Sequence, residues 1–252
     1  MTTSLALVAD LGGTNTRVAL ADGKVVREGS IRRFSNAEFP SLEPVLVRYL
    51  AEAGLKGVDG VCVAAAGPVR DGVAVMTNLD WTIDAAQLIR ATGARQTAIL
   101  NDLQAQGHAL GHIAPENLRC LIDGPQQPGG AMLVAGVGTG MNAAPVHNTP
   151  WGRVVAASEC GHITMPIRTE QDFRLARFVE THGPHAHGFA GVEDILAGRG
   201  LEHVYAFIAH EAGQPQEKKA AEIMAALAAG DPIARDTARL YVHILGAELG
   251  NL

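Results

Sequence analysis

Apolar residues along this chain fall into short runs before any helical spacing begins. Residues 5–9 form one run and residues 16–21 a second, separated by Asp10, Leu11, Gly12, Gly13, Thr14 and Asn15. Too few residues lie between them for a helix, so two strands joined by a tight turn are expected, with Asp10 ending the first. Asp22-Gly23 then marks a two-residue hairpin into a third strand over residues 24–31. Leu42, Val45, Leu46, Tyr49 and Leu50 recur at helical spacing, which predicts a helix over residues 40–53 stopped by Gly54. The apolar stretch 58–66 reads as a strand buried on both faces, and a strand reached through a helix implies a crossover. The sheet is therefore mixed.

Gly67-Pro68 breaks that strand, and a short hairpin-like piece follows at 73–76. Thr82 is a candidate N-cap for a helix over residues 84–91, ended by Gly93. A strand at 97–100 then ends in Asn101-Asp102, at the carboxyl edge where open α/β sheets place ligands. A helix at 103–110 leads into a loop at 115–130 with three prolines and three glycines, the expected change of subdomain. The domains are accordingly 1–110, and a larger 111–252. In the second, a strand at 131–135 precedes the loop Gly-Val-Gly-Thr-Gly at 136–140, and a strand pair covers 143–146 and 154–157. Ser-Glu-Cys-Gly-His follows at 158–162, then a loop with His182, His185 and His187. Helices are expected at 192–196, 200–210 and 215–229, and a last one from Asp231-Pro232 to about Leu249.

Composition changes little in this picture but excludes much. A chain of 252 residues with 47% hydrophobic and 18% charged residues has material for a core and is not disordered. A net charge of −6 without basic runs argues against nucleic acid or an anionic membrane as main partner. Cys62, Cys120 and Cys160 are odd in number and far apart, so neither a disulfide framework nor a zinc knuckle is indicated. With no apolar run of spanning or signal length, the expected compartment is the cytoplasm.

Three groups of residues carry candidate chemistry. Around the first turn, Gly12 and Gly13 let a phosphate approach backbone N–H groups, Thr14 and Asn15 add donors, and Asp10 can hold a hydrated Mg²⁺. The plain alternative is a simple hairpin turn; a Walker loop and a dinucleotide fingerprint are excluded because no Lys-Ser/Thr and no helix follow. Gly138, Thr139 and Gly140 form a second such loop. Asp102 is placed to act as general base toward an alcohol, with Asn101 bonding neighbouring hydroxyls; the alternative is that the pair only caps the next helix. Glu159, His162 and Glu193 can alternate acceptors and donors around a polyol ring. No cysteine pair or HExxH helix accompanies them to make zinc the better reading. His182, His185 and His187 read as solvated loop histidines rather than metal ligands.

The segments VADLGGTNTRVAL, AAAGPV, MTNLDWTI, LNDLQAQ, GVGTGMN, SECGHI and GVEDILAGRGLEHVY, in this order along nearly the whole chain, resemble the bacterial glucokinases of the actin-like/hexokinase-type ATPase superfamily. The resemblance implies a two-domain α/β fold of ribonuclease H-like mixed sheets, with ATP phosphates between the two glycine loops and glucose in a cleft. It implies Asp102 as base, Asn101, Glu159, His162 and Glu193 as further sugar ligands, and Asp10 as the acid near Mg²⁺. The related ROK kinases join the histidine of this motif to a cysteine-rich zinc motif, which is absent here, so His162 reads as a sugar ligand. Cys160 and Asn142 stand where the family usually has glycine, and the histidine loop before Glu193 is atypical. Similar proteins continue beyond GAELGNL into an adenosine-binding turn and a final helix, so the chain is expected to lack the end of the fold. That would uncover Ile233, Tyr241, Ile244 and Leu245 on the last helix and favour a homodimer. A catalytically weak sugar-binding relative and a kinase of another hexose are the alternatives to a glucokinase.

Overall fold

A computed structural model describes residues 4–76, 79–125, 127–182 and 188–252. The chain divides into two compact units, Met1–Gly111 and His112–Leu252.

In the first unit, β1 (Leu5–Leu11) and β2 (Asn15–Asp22) pair antiparallel around the Gly12-Gly13-Thr14 turn. Asp10 does not end β1: the strand runs on through Leu11, which is buried beneath the turn and still pairs with Thr16. The following turn is Gly23-Lys24, one residue later than the Asp-Gly signal, because Asp22 pairs with Val25 and Gly23 supplies the positive φ of 59°. The single third strand is instead two, β3 (Val25–Val26) and β4 (Arg32–Ser35), both on β2, with a 3-10 turn at Glu28–Ser30 between them. Ser30 explains the break: its hydroxyl, not a strand carbonyl, receives the Leu20 N–H at 2.9 Å.

Helix α1 (Leu42–Glu52) buries all five residues picked out by spacing, and β5 (Gly60–Ala65) returns parallel to β1. β5 is not buried on both faces: Val61, Val63 and Ala65 join a core with Leu46, Tyr49 and Leu88, while Cys62 and Ala64 are half-covered. Each fully buried Leu or Val there contributes about 1.5–3 kcal/mol. A small sheet follows, β6 (Val69–Arg70), β7 (Val73–Val75) and β8 (Thr82–Ile83). Thr82 lies in β8, so the cap of α2 (Ala85–Thr92) is Asp84, whose carboxylate accepts the Gln87 N–H at 2.8 Å. β9 (Gln96–Asn101) pairs parallel with β5 and runs directly into α3 (Asp102–Ala109). The large sheet has the order β3-β2-β1-β5-β9, with β4 also on β2, and is mixed as expected.

The second unit carries β10 (Met132–Val137), β11 (Met141–Thr149) and β12 (Gly152–Val155) as an antiparallel sheet. After a 3-10 turn at Cys160–His162, α4 (Glu170–His182) occupies a stretch to which the sequence pattern assigns no element before the histidines. Asp172, Leu175, Ala176 and Val179 are its buried face, and Asp172 accepts the N–H groups of Arg168 and Thr169 to start it. Then come α5 (Val192–Leu196), α6 (Gly198–Glu211), α7 (Ala220–Ala228) and α8 (Pro232–Leu249). α7 begins at Ala220 rather than Pro215, where Glu222 accepts the Lys219 N–H at 2.7 Å. On α8, Ile233 and Ile244 are buried, and Tyr241 and Leu245 pack against the same core. Of the four positions expected to be partly uncovered, Ile233 and Ile244 are covered, whereas Tyr241 and Leu245 are half-buried; the exposed large apolar residues of α8 are Val242 and Leu249.

Candidate active site

In the first unit the candidate residues gather along one edge of the large sheet. Leu11, Ala65 and Asn101 share one register across β1, β5 and β9. The glycine turn after β1 and Asp102 after β9 thus sit at the same end, two strand spacings apart, or about 10 Å. The turn itself is held from beneath by Asn36, a residue that no motif marks. Its Nδ2 donates to Gly12 O at 2.8 Å, its N–H to Thr14 O at 2.9 Å, and its Oδ1 accepts the Thr16 hydroxyl at 2.7 Å. Asn36 is 2% exposed. Among the described residues the N–H groups of Gly13 and Thr14 have no partner, which leaves them as donors for an anion. Asn15 is the first residue of β2 and pairs with Ser35.

Asp10 is exposed and faces Arg17 across the strand pair at 3.3 Å. Among the described residues no group of three His, Cys, Asp or Glu is arranged to hold a metal ion. With only Oδ2 facing Arg17, this exposed carboxylate fits a Mg²⁺ that keeps its waters and arrives with phosphates.

The capping alternative for Asn101 is realised: its Oδ1 accepts the Leu103 N–H at 3.0 Å and Gln104 returns a bond to its backbone. Its Nδ2 donates one hydrogen to Gly67 O at 3.1 Å, which leaves the second for a hydroxyl. Asp102 accepts the same Leu103 N–H through Oδ1 at 2.8 Å, while Oδ2 accepts nothing among the described residues. One oxygen anchors this carboxylate and the other is left to take a proton.

The second unit brings its candidates closer together than spacing alone shows. Gly138, Thr139 and Gly140 form the turn between β10 and β11, with Val137 paired to Met141. The Gly138 carbonyl accepts the Gly198 N–H at 2.9 Å, tying this turn to the start of α6. A Cβ on Gly140 would stand 2.9 Å from Glu193 Oε2, and one on Gly161 would overlap the Met141 carbonyl and crowd Glu193. His162 Nε2 lies 3.8 Å from Glu193 Oε1. Glu193 is also held by Arg199, whose Nη2 reaches Oε1 at 2.5 Å and Asp194 Oδ1 at 3.4 Å. The sequence reading misses Arg199 because α5 stops at Leu196 and α6 starts anew, so no single helical register links it to Glu193. Glu159 is exposed, and its carboxylate bonds nothing among the described residues. His182 is the last residue of α4, stacked on Phe178 at 4.3 Å, and so belongs to a helix end, not a loop. His185 and His187 lie outside the described residues.

Residues 7–252 match the Glucokinase family. The chain belongs to the glucokinase family. A glucokinase of Chromohalobacter salexigens is 32% identical over 98% of this chain and 76% of its own length. One of Caulobacter sp. is 31% identical over 98% and 75%. The crystal structure of a glucokinase from an Antarctic psychrotroph matches with a TM-score of 0.85 at 27% identity, covering 98% of this chain and 78% of that one. A ROK hexokinase from Thermus thermophilus shares the fold, with a TM-score of 0.67 at 23% identity, covering 98% and 77%. The α/β hexokinase-type fold expected from the glucokinase motifs is the one observed. Among the described residues no helix is long and apolar enough to cross a membrane.

Proposed function

We propose that this member of the glucokinase family transfers the γ-phosphoryl of ATP to the 6-hydroxyl of glucose, with Asp102 as the base. The observation that carries the residue assignment is the divided use of the Asp102 carboxylate, one oxygen bonded to Leu103 N–H at 2.8 Å and the other open. Oδ2 takes the hydroxyl proton as the alcohol oxygen bonds to phosphorus and the bond to ADP breaks. Asn101, Glu159, His162 and Glu193 hold the remaining sugar hydroxyls, and Arg199 keeps Glu193 in place. The open N–H groups of Gly13 and Thr14, with Asn15, and the turn Gly138-Thr139-Gly140 receive phosphate oxygens. Asp10 holds the water shell of Mg²⁺, whose charge offsets that of the polyphosphate. A cytoplasmic location fits a reaction that consumes ATP.

The test couples glucose 6-phosphate formation to its dehydrogenase and compares Asp102→Asn with the parent. The expected result is a kcat lower by about a thousandfold with glucose affinity within a few-fold, as for loss of a general base. Parallel loss of affinity and rate would make Asp102 a residue of the helix start and nothing more.

A further inference from the structure

Residues 158–162 carry two of the sugar ligands on a segment that belongs to no sheet. Glu159 has φ −132° and ψ 47°, neither helical nor extended, so the backbone groups beside it must find partners off any ladder. One side chain supplies both. Asn142 Nδ2 donates to Ser158 O at 2.5 Å, and Asn142 Oδ1 accepts the Cys160 N–H at 3.2 Å. The same oxygen accepts the Ala143 N–H at 2.9 Å and lies 3.5 Å from Cys160 Sγ. Burial pushes the Cys160 thiol up, which keeps it protonated as a donor. Asn142 stands on β11 opposite Gly136, just beyond the turn that contains Gly140. A single amide thus closes a ring around the Glu159 backbone and fastens it to the strand that leaves the glycine turn.

We infer that Asn142 is a positioning residue for sugar binding, its amide holding Glu159 at a set distance from the Gly138-Thr139-Gly140 turn. This rests on the reading of Glu159 as a sugar ligand. On this reading Asn142 acts through the backbone on either side of Glu159. Its effect therefore falls on glucose and not on the proton transfer.

The experiment compares Asn142→Ala, Asn142→Asp and Glu159→Gln in steady-state kinetics with glucose and MgATP varied, alongside thermal melting. In Asn142→Ala the glucose KM is expected to rise about tenfold, the size of one lost hydrogen bond, with kcat within about threefold. Asn142→Asp keeps the acceptor for Cys160 N–H but sets a carboxylate against Ser158 O. Protonation restores a donor there, so its glucose KM, raised at neutral pH, should fall toward the parent value as the solution is acidified through the titration of that carboxylate, with no such recovery in the alanine variant. An unchanged glucose KM in folded Asn142→Ala, or no acid recovery in Asn142→Asp, overturns the inference; if the alanine variant does not fold, the aspartate profile decides. A raised KM in Glu159→Gln without one in Asn142→Ala sinks the positioning role alone. An unchanged KM in Glu159→Gln sinks the sugar-site reading and this inference with it.

Discussion

At the scale of single residues, the candidate site is shaped by asparagines with bonded side chains, Asn36, Asn101 and Asn142, as much as by its acids. Asn36 fixes the first glycine turn through three bonds, two of them to carbonyls of Gly12 and Thr14. Replacing it with Ala leaves the Gly12 carbonyl and the Thr16 hydroxyl without those partners in a buried setting, where each orphaned group costs about 1–3 kcal/mol. Asn36→Ala should therefore lower stability by about 2 kcal/mol or more in urea unfolding and raise the KM for ATP more than that for glucose. Equal changes in both constants would refute its role beneath the phosphate turn. Asp102 and Asn101 were legible from their place after a strand, and so was the capping alternative. Both side chains serve the helix start through the Leu103 N–H, and each keeps something in reserve: Asn101 gives one Nδ2 hydrogen to Gly67 and keeps the other, while Asp102 keeps one oxygen open. Asn36 was not legible, because its partner Gly12 is distant in sequence and nothing local marks the pairing.

At the scale of elements, helices with a regular apolar stripe were readable and strands interrupted by side-chain bonds were not. α1 buries the five residues its spacing named, and Gly54 follows it with φ 68°. The break between β3 and β4 depends on the Ser30 hydroxyl meeting Leu20, a contact across the hairpin that no periodicity reports. α4 has buried positions at 172, 175, 176 and 179, but the first of them is an aspartate, which masks the stripe. α8 carries another buried acid. Glu248 is 1% exposed, its Oε1 has no partner among the described residues, and burial raises its pKa. A raised carboxyl pKa means the folded state binds the proton more tightly than the unfolded chain. Its stabilising share is full below the ordinary carboxylate value and is lost as pH rises through the raised one. Glu248→Gln is accordingly expected to stabilise the protein by about 1–3 kcal/mol near neutral pH, with the gain shrinking as the solution is acidified. Denaturant midpoints of both proteins at several pH values test this; a gain that grows on acidification would reverse the sign and overturn it.

At the scale of the whole molecule, glucose is expected to stabilise what it binds. Free glucose at a hundredfold excess over Kd adds about 2.7 kcal/mol, which for a chain of this size raises the melting temperature by about 5 °C or more. The shift should vanish in Glu159→Gln, and a flat melting point with the parent protein would count against the sugar site. The family was readable from the sequence because its motifs are local: a glycine turn, an acid after a strand and a short polar segment each keep their chemistry within a few residues. Local preference also determined the mixed order of the first strands, since a tight turn forces antiparallel pairing and a helix allows a parallel return. Only the tertiary structure decided which distant groups meet. Arg199 reaches Glu193 from the next helix, Gly198 ties α6 to the Gly138 turn, and Asn142 holds residues either side of Glu159. Such bonds join groups that the chain brings together only after its cores have formed, and their strength depends on the burial those cores create.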